Sequence, residues 1–148
     1  MLTREQLTEK IVANKIKKGV TWAALADKAG LSREWATAAL LGQCQLTKEE
    51  AATLAGELDL DADDIALLQT CAYRGALGEA VPTDPLVYRL YEIVQCYGTV
   101  IKELIHEEFG DGIMSAIDYN MSIERVPNPA GDRVKITLDG KFLPYKKF

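Results

Sequence analysis

The sequence predicts an α+β protein that is mainly α: a bundle of short helices, then one long helix and a β-hairpin. Three observations carry this. Apolar residues recur at helical spacing through the first half, each set opened by a capping residue. An apolar stripe then runs without interruption from Leu86 to Ile105. After Gly110-Asp111-Gly112 the pattern changes to two strand-like runs flanking Asn128-Pro129-Ala130-Gly131-Asp132, which is turn chemistry.

The elements follow in order. Leu2, Leu7, Ile11 and Ile16 mark a first amphipathic helix, closed by Lys17-Lys18-Gly19. Cations there complement the helix dipole, and a glycine takes the left-handed cap. Thr21 to Gly30 forms a second helix. Ser32 caps a third, which carries Trp35, Ala38, Ala39 and Leu40. This helix, glycine turn, helix order resembles the helix-turn-helix of phage-repressor-like domains. Thr47-Lys48-Glu49-Glu50 is a capping box, and Asp61 caps a helix through Ile65, Leu67 and Leu68. The proline-marked linker Gly78-Glu79-Ala80-Val81-Pro82 divides the chain into residues 1–79 and 80–148. Beyond it Asp84 is an N-cap, with Pro85 at the first helical position. Leu86, Leu90, Ile93, Val94, Tyr97, Ile101, Leu104 and Ile105 keep helical spacing to about Phe109. A short segment with Ser115 follows, then strands at Tyr119–Val126 and from Arg133 to Leu138, leading into Lys141-Phe142-Leu143.

Composition bounds the function. The 148 residues suffice for one or two small domains. With 48% hydrophobic and 26% charged residues they match an ordinary soluble protein. A net charge of −5 argues against a general nucleic-acid binder. No apolar run approaches the ~20 residues of a membrane helix, and the polar Met1-Leu2-Thr3-Arg4 start has no signal-peptide core. Cys44, Cys71 and Cys96 are odd in number and widely spaced, which fits reduced thiols in a cytoplasm. In a DNA reader the second helix of the motif presents basic or amide side chains to bases. Here that helix reads Arg33-Glu34-Trp35-Ala36-Thr37, and residues 1–79 hold 9 Lys+Arg against 12 Asp+Glu, so packing within an oligomer is the expectation. The second part, one helix and a hairpin, has too little core to stand alone, so another copy of the chain is expected to complete it.

No metal or nucleotide motif is evident. His106-Glu107-Glu108-Phe109-Gly110 is not H-E-x-x-H, and no G-x-S-x-G surrounds Ser115. Asp59-x-Asp61-x-Asp63 opens like a calcium loop, but Asp64 replaces its glycine and Thr70 its closing glutamate; a helix cap is expected. Cys71 and Cys96 read as core cysteines rather than nucleophiles. Arg89 and Glu92 lie three residues apart on one helix and can touch. By spacing alone they read first as an exposed ion pair worth under about 1 kcal/mol, and Ser115 as a serine that serves the backbone. Together an arginine, a carboxylate and a hydroxyl suit small anions.

Two segments are more specific. Pro82-Thr83-Asp84-Pro85 with Tyr88-Arg89-x-Tyr91-Glu92, then His106-Glu107-x-Phe109-Gly110-Asp111-Gly112-Ile113-x-Ser115-Ala116-Ile117, resemble the cyanases (cyanate hydratases or lyases), a likeness that runs from the N-terminal helices through Ala66-Leu67-Leu68-Gln69 to Asp139-Gly140-Lys141-Phe142-Leu143-Pro144. The resemblance spans nearly the whole chain. It implies conversion of cyanate and bicarbonate to carbamate and carbon dioxide, the carbamate then giving ammonia and more carbon dioxide. Bicarbonate is a co-substrate, and neither cofactor nor metal is implied. It further implies a homodecamer of five dimers with active sites at subunit interfaces. The helix-turn-helix-like part would serve assembly, the second part dimerisation and catalysis. Arg89, Glu92 and Ser115 fall on the family's catalytic positions. The competing reading is a helix-turn-helix DNA-binding regulator with a C-terminal dimerisation module.

Overall fold

A computed structural model describes residues 1–72, 74–75 and 80–148. The chain forms two compact units, Met1–Ala76 and Leu77–Phe148. Of the expected linker, Gly78 and Glu79 lie outside the described residues.

The first unit contains α1 (Arg4–Lys18), α2 (Trp22–Ala29), α3 (Arg33–Leu40), α4 (Lys48–Leu58) and α5 (Ala62–Leu68). Their starts follow the expected chemistry. Thr3, Thr21, Ser32, Thr47 and Asp61 each accept a hydrogen bond from a first-turn backbone N–H, and Thr47–Glu50 closes the predicted capping box. Gly19 ends α1 in the left-handed conformation at φ 64°, where a side chain would be strained. Leu7, Ile11, Leu25, Leu40, Leu46, Leu54, Leu58 and Leu68 meet in one core. Ile16 does not join it and is exposed. It lies nine residues from Leu7, about 180° round the helix, so its side belongs to solvent. Trp35 is also largely exposed, while Ala36, Ala39 and Leu40 carry the buried side of α3.

Polar links tie α1 to this core. Arg4 donates to the Ala39 carbonyl at 2.5 Å, and Asn14 to that of Leu58 at 2.7 Å. Lys10 reaches both Asp61 (3.3 Å) and the buried Asp64 (2.5 Å). The acidic run therefore builds a helix cap: Asp61 accepts the N–H groups of Asp63 and Asp64, and Asp64 accepts that of Asp61.

The second unit holds α6 (Pro85–Phe109) and the antiparallel pair β1 (Gly112–Val126) and β2 (Arg133–Pro144). Asp84 caps α6 by accepting the Val87 N–H, with Pro85 in the first turn. At its other end His106 Nε2 lies 3.2 Å from the Gly112 carbonyl and Nδ1 lies 3.3 Å from Lys102 Nζ. A carbonyl only accepts, so these partners put the imidazole proton on Nε2. The rings of Phe109 and Phe142 stack at 5.3 Å, joining the end of α6 to β2.

Two expectations need correction here. The segment carrying Ser115 is not a separate piece before the hairpin, because β1 starts at Gly112 and pairs with Pro144. A register break hides this from the two-residue alternation: Met114 pairs with Phe142 but Tyr119 with Gly140, so residues 115–118 stand opposite Lys141 alone. Cys71 and Cys96 are exposed rather than core. Cys96 sits on α6, which buries no residue within the chain.

Candidate anion site in the second unit

The first turns of α6 bring Arg89 and Glu92 onto one side of the helix, where Arg89 Nε lies 3.2 Å from Glu92 Oε2. The guanidinium carbon also sits 5.0 Å from the centroid of the Tyr88 ring, a cation–π distance. Tyr91 lies next to Tyr88, with ring centroids 6.5 Å apart. Both charged side chains remain open, at 63% and 46% exposure. An ion pair so wet contributes little to folding. The pairing leaves the rest of the guanidinium open to solvent.

Ser115 has the opposite setting. It is 5% exposed, the one buried polar residue among those described in this unit. The four-residue bulge folds back on it, so that its Oγ accepts the N–H groups of Ile117 (3.0 Å) and Asp118 (2.9 Å). The serine does serve the backbone, and its hydroxyl proton is still available to donate.

Within one chain these groups stay apart. Met114 and Gly140, the neighbours of Ser115, line a recess of about 370 Å³ with Ile105, Phe109 and Phe142 at the end of α6. Arg89 is sixteen residues earlier than Ile105, about 24 Å back along the helix axis. No hydrogen bond or ion pair joins Arg89 or Glu92 to Ser115 among the described residues. The other candidates have structural roles: His106 joins α6 to β1, and Asp59 and Asp61 cap helices. Among the described residues no group of three or more His, Cys, Asp or Glu could hold a metal ion. Among the described residues no helix is long and apolar enough to cross a membrane.

Comparison with known proteins gives this geometry its context. Residues 4–71 match the family model "Cyanate hydratase, N-terminal", and residues 79–147 match "Cyanate lyase C-terminal domain". A cyanate hydratase of Ralstonia pickettii is 57% identical over 147 residues, covering 99% of this chain and all of the relative. The chain belongs to the cyanate hydratase (cyanase) family. Another cyanate hydratase, from Dechloromonas aromatica, is 56% identical over the same length. The crystal structure of a cyanase from T. urticae superposes with a TM-score of 0.78 at 36% identity, over 93% of this chain and 96% of that one. As a cyanase the protein is a lyase that decomposes cyanate in a bicarbonate-dependent reaction. That settles the choice between enzyme and DNA-binding regulator in favour of the enzyme.

The family resemblance points to Arg89, Glu92 and Ser115 but not to Gly140, against which the bulge packs. The available signal is a glycine inside a strand run, which marks a bulge or a close approach of backbone.

Proposed function

We propose that Arg89, Glu92 and Ser115 carry the reaction, in a site to which more than one copy of the chain contributes. The observation that supports this is the contrast just described. A guanidinium held by a carboxylate and a hydroxyl held by two N–H groups suit an anionic substrate, yet they lie at opposite ends of α6.

Cyanate and bicarbonate are both anions. Bringing two unit charges to ~4 Å costs about 4 kcal/mol at an effective dielectric near 20. Arg89 offsets that repulsion. With Nε turned to Glu92, the terminal Nη fork is the edge offered to planar oxygens. Ser115 donates to an anionic oxygen. A bicarbonate oxygen then bonds to the cyanate carbon while the bicarbonate proton moves to nitrogen. Loss of carbon dioxide and uptake of one solvent proton leave carbamate, which with a further proton gives ammonia and carbon dioxide. Glu92 is itself an anion, so its first role is to hold the guanidinium. Positioning and preorganised charge supply much of the acceleration.

The exposed apolar stripe of α6 supports an oligomer, which we take to be a decamer of five dimers, with the first unit serving assembly and the second dimerisation and catalysis. A cytoplasmic enzyme is consistent with three free cysteines. The test is bicarbonate-dependent ammonia release from cyanate. Arg89→Lys keeps the charge and loses the fork, so kcat/KM should fall by about 100-fold or more. Glu92→Gln should lower the rate or move its pH profile. Near-normal turnover in Arg89→Lys would remove the orienting role.

A further inference from the structure

We propose that Gly140 is a positioning residue for Ser115, and that the bulge it permits commits the serine hydroxyl to donating a hydrogen bond. This rests on the reading that Ser115 touches substrate. A hydroxyl oxygen has two acceptor lone pairs and one proton. In Ser115 the N–H groups of Ile117 and Asp118 occupy both lone pairs, at 3.0 and 2.9 Å. The oxygen has no acceptor capacity left for substrate, and the proton is its one remaining valence for hydrogen bonding. Two donors on the same oxygen also polarise that O–H bond, which strengthens it as a donor. Such a serine is a weak nucleophile and a good partner for an anionic oxygen.

The double acceptance exists only because residues 115–118 fold into the space opposite Lys141. To do so, the first carbonyl of the bulge must lie flat on β2, and it lies on Gly140. A Cβ at position 140 would fall against the Ser115 carbonyl oxygen, closer than any real contact, and 2.6 Å from Met114 Cγ. The methionine can turn away, but the carbonyl belongs to the residue whose hydroxyl is being placed. Lys141, opposite the bulge, lies 3.9 Å from the exposed Asp118 carboxylate at its far end. With Ser115 at 5% exposure, a side chain on Gly140 moves the hydroxyl rather than solvent. The φ of Gly140 is not in the positive range, so crowding and not backbone strain sets the requirement.

The experiment is a double-mutant cycle on the assembled enzyme, read by ammonia release and amide exchange. Gly140→Ala should reduce kcat by about 100-fold, the cost of a misplacement of about 1 Å at a reacting centre. Placed on Ser115→Ala it should cost less than about twofold more, because the group it positions is already gone. Exchange at the Ile117 and Asp118 amides should speed up in Gly140→Ala while amides between Met121 and Arg125 keep their protection. Equal losses in both backgrounds, or wild-type kcat in Gly140→Ala, would overturn the proposal. A fully active Ser115→Ala would instead remove the role of Ser115 itself. If Gly140→Ala does not assemble, Asp118→Pro removes one N–H donor together with the Asp118–Lys141 ion pair, and Asp118→Ala, which removes the ion pair alone, is its control. In Asp118→Pro a kcat about tenfold lower than in that control is then expected, and an unchanged kcat overturns the commitment of the hydroxyl.

Discussion

At Arg89 the carboxylate of Glu92 approaches Nε while the Tyr88 ring lies 5.0 Å from the guanidinium carbon. The i,i+3 spacing makes that pairing readable from the chain alone, because a helix brings those positions together. What the spacing cannot convey is which edge of the guanidinium stays open, since that depends on rotamers. A second residue-scale case concerns pH. The Asp61 carboxyl is held below its ordinary value of 3.8, chiefly by the Asp64 N–H and further by Lys10. Lys10 is raised above 10.5, chiefly by its bond to Asp64. A depressed carboxyl stabilises the fold above its unfolded value and loses that contribution as pH falls through the lower folded value. A raised lysine contributes below 10.5 and loses it as pH rises through the higher folded value. Both contributions are therefore present at neutral pH. In urea titrations followed by circular dichroism from about pH 6 to pH 2.5, the wild-type midpoint should fall more steeply than that of Asp61→Asn. Parallel curves would show that the carboxyl titrates alike in folded and unfolded chains.

The helices of the first unit were readable because their signals are local. Thr47 and Glu50 satisfy each other's backbone donors within four residues, and Leu54 and Leu58 continue the same stripe into the core. Thr47→Ala should cost about 1 kcal/mol, seen as a lower thermal midpoint with cyanate turnover unchanged at moderate temperature. An unchanged midpoint would mean that water replaces the cap at no cost. The start of β1 was not readable, since its partners Phe142 and Leu143 lie some thirty residues downstream. Gly110 and Gly112 open that stretch, and Met114, Ser115 and Ala116 have little strand preference. A four-for-one bulge then breaks the alternation that would have announced a strand. Ile16 is the converse: hydrophobic in sequence, but on the wrong side of its helix.

For the whole molecule, the uneven distribution of burial matters most. Every buried hydrophobic residue among those described lies between Leu7 and Leu68, whereas Leu86, Leu90, Ile93, Val94, Tyr97 and Ile101 on α6 are 43–72% exposed. The stripe was legible from its helical spacing, and the small core beside it led to the expectation of a second copy as its cover. An apolar helix left this open suits the docking surface proposed above. If copies pack there, Arg89 of one chain can meet Ser115 of another, which the geometry within one chain does not allow. The consequence can be tested with two impaired proteins. Arg89→Lys chains retain Ser115, and Ser115→Ala chains retain Arg89 and Glu92. Dissociated, mixed in equal amounts and reassembled, they form sites that draw each half at random. About one site in four then combines an intact arginine with an intact serine, so about a quarter of wild-type turnover should return, given symmetric interfaces of identical copies. Reassembly of either variant alone should leave each at its own low residual rate, about a hundredth of wild type or less for Arg89→Lys. If the mixture also stays that low while light scattering shows full reassembly, both residues act from the same chain and the shared site is wrong.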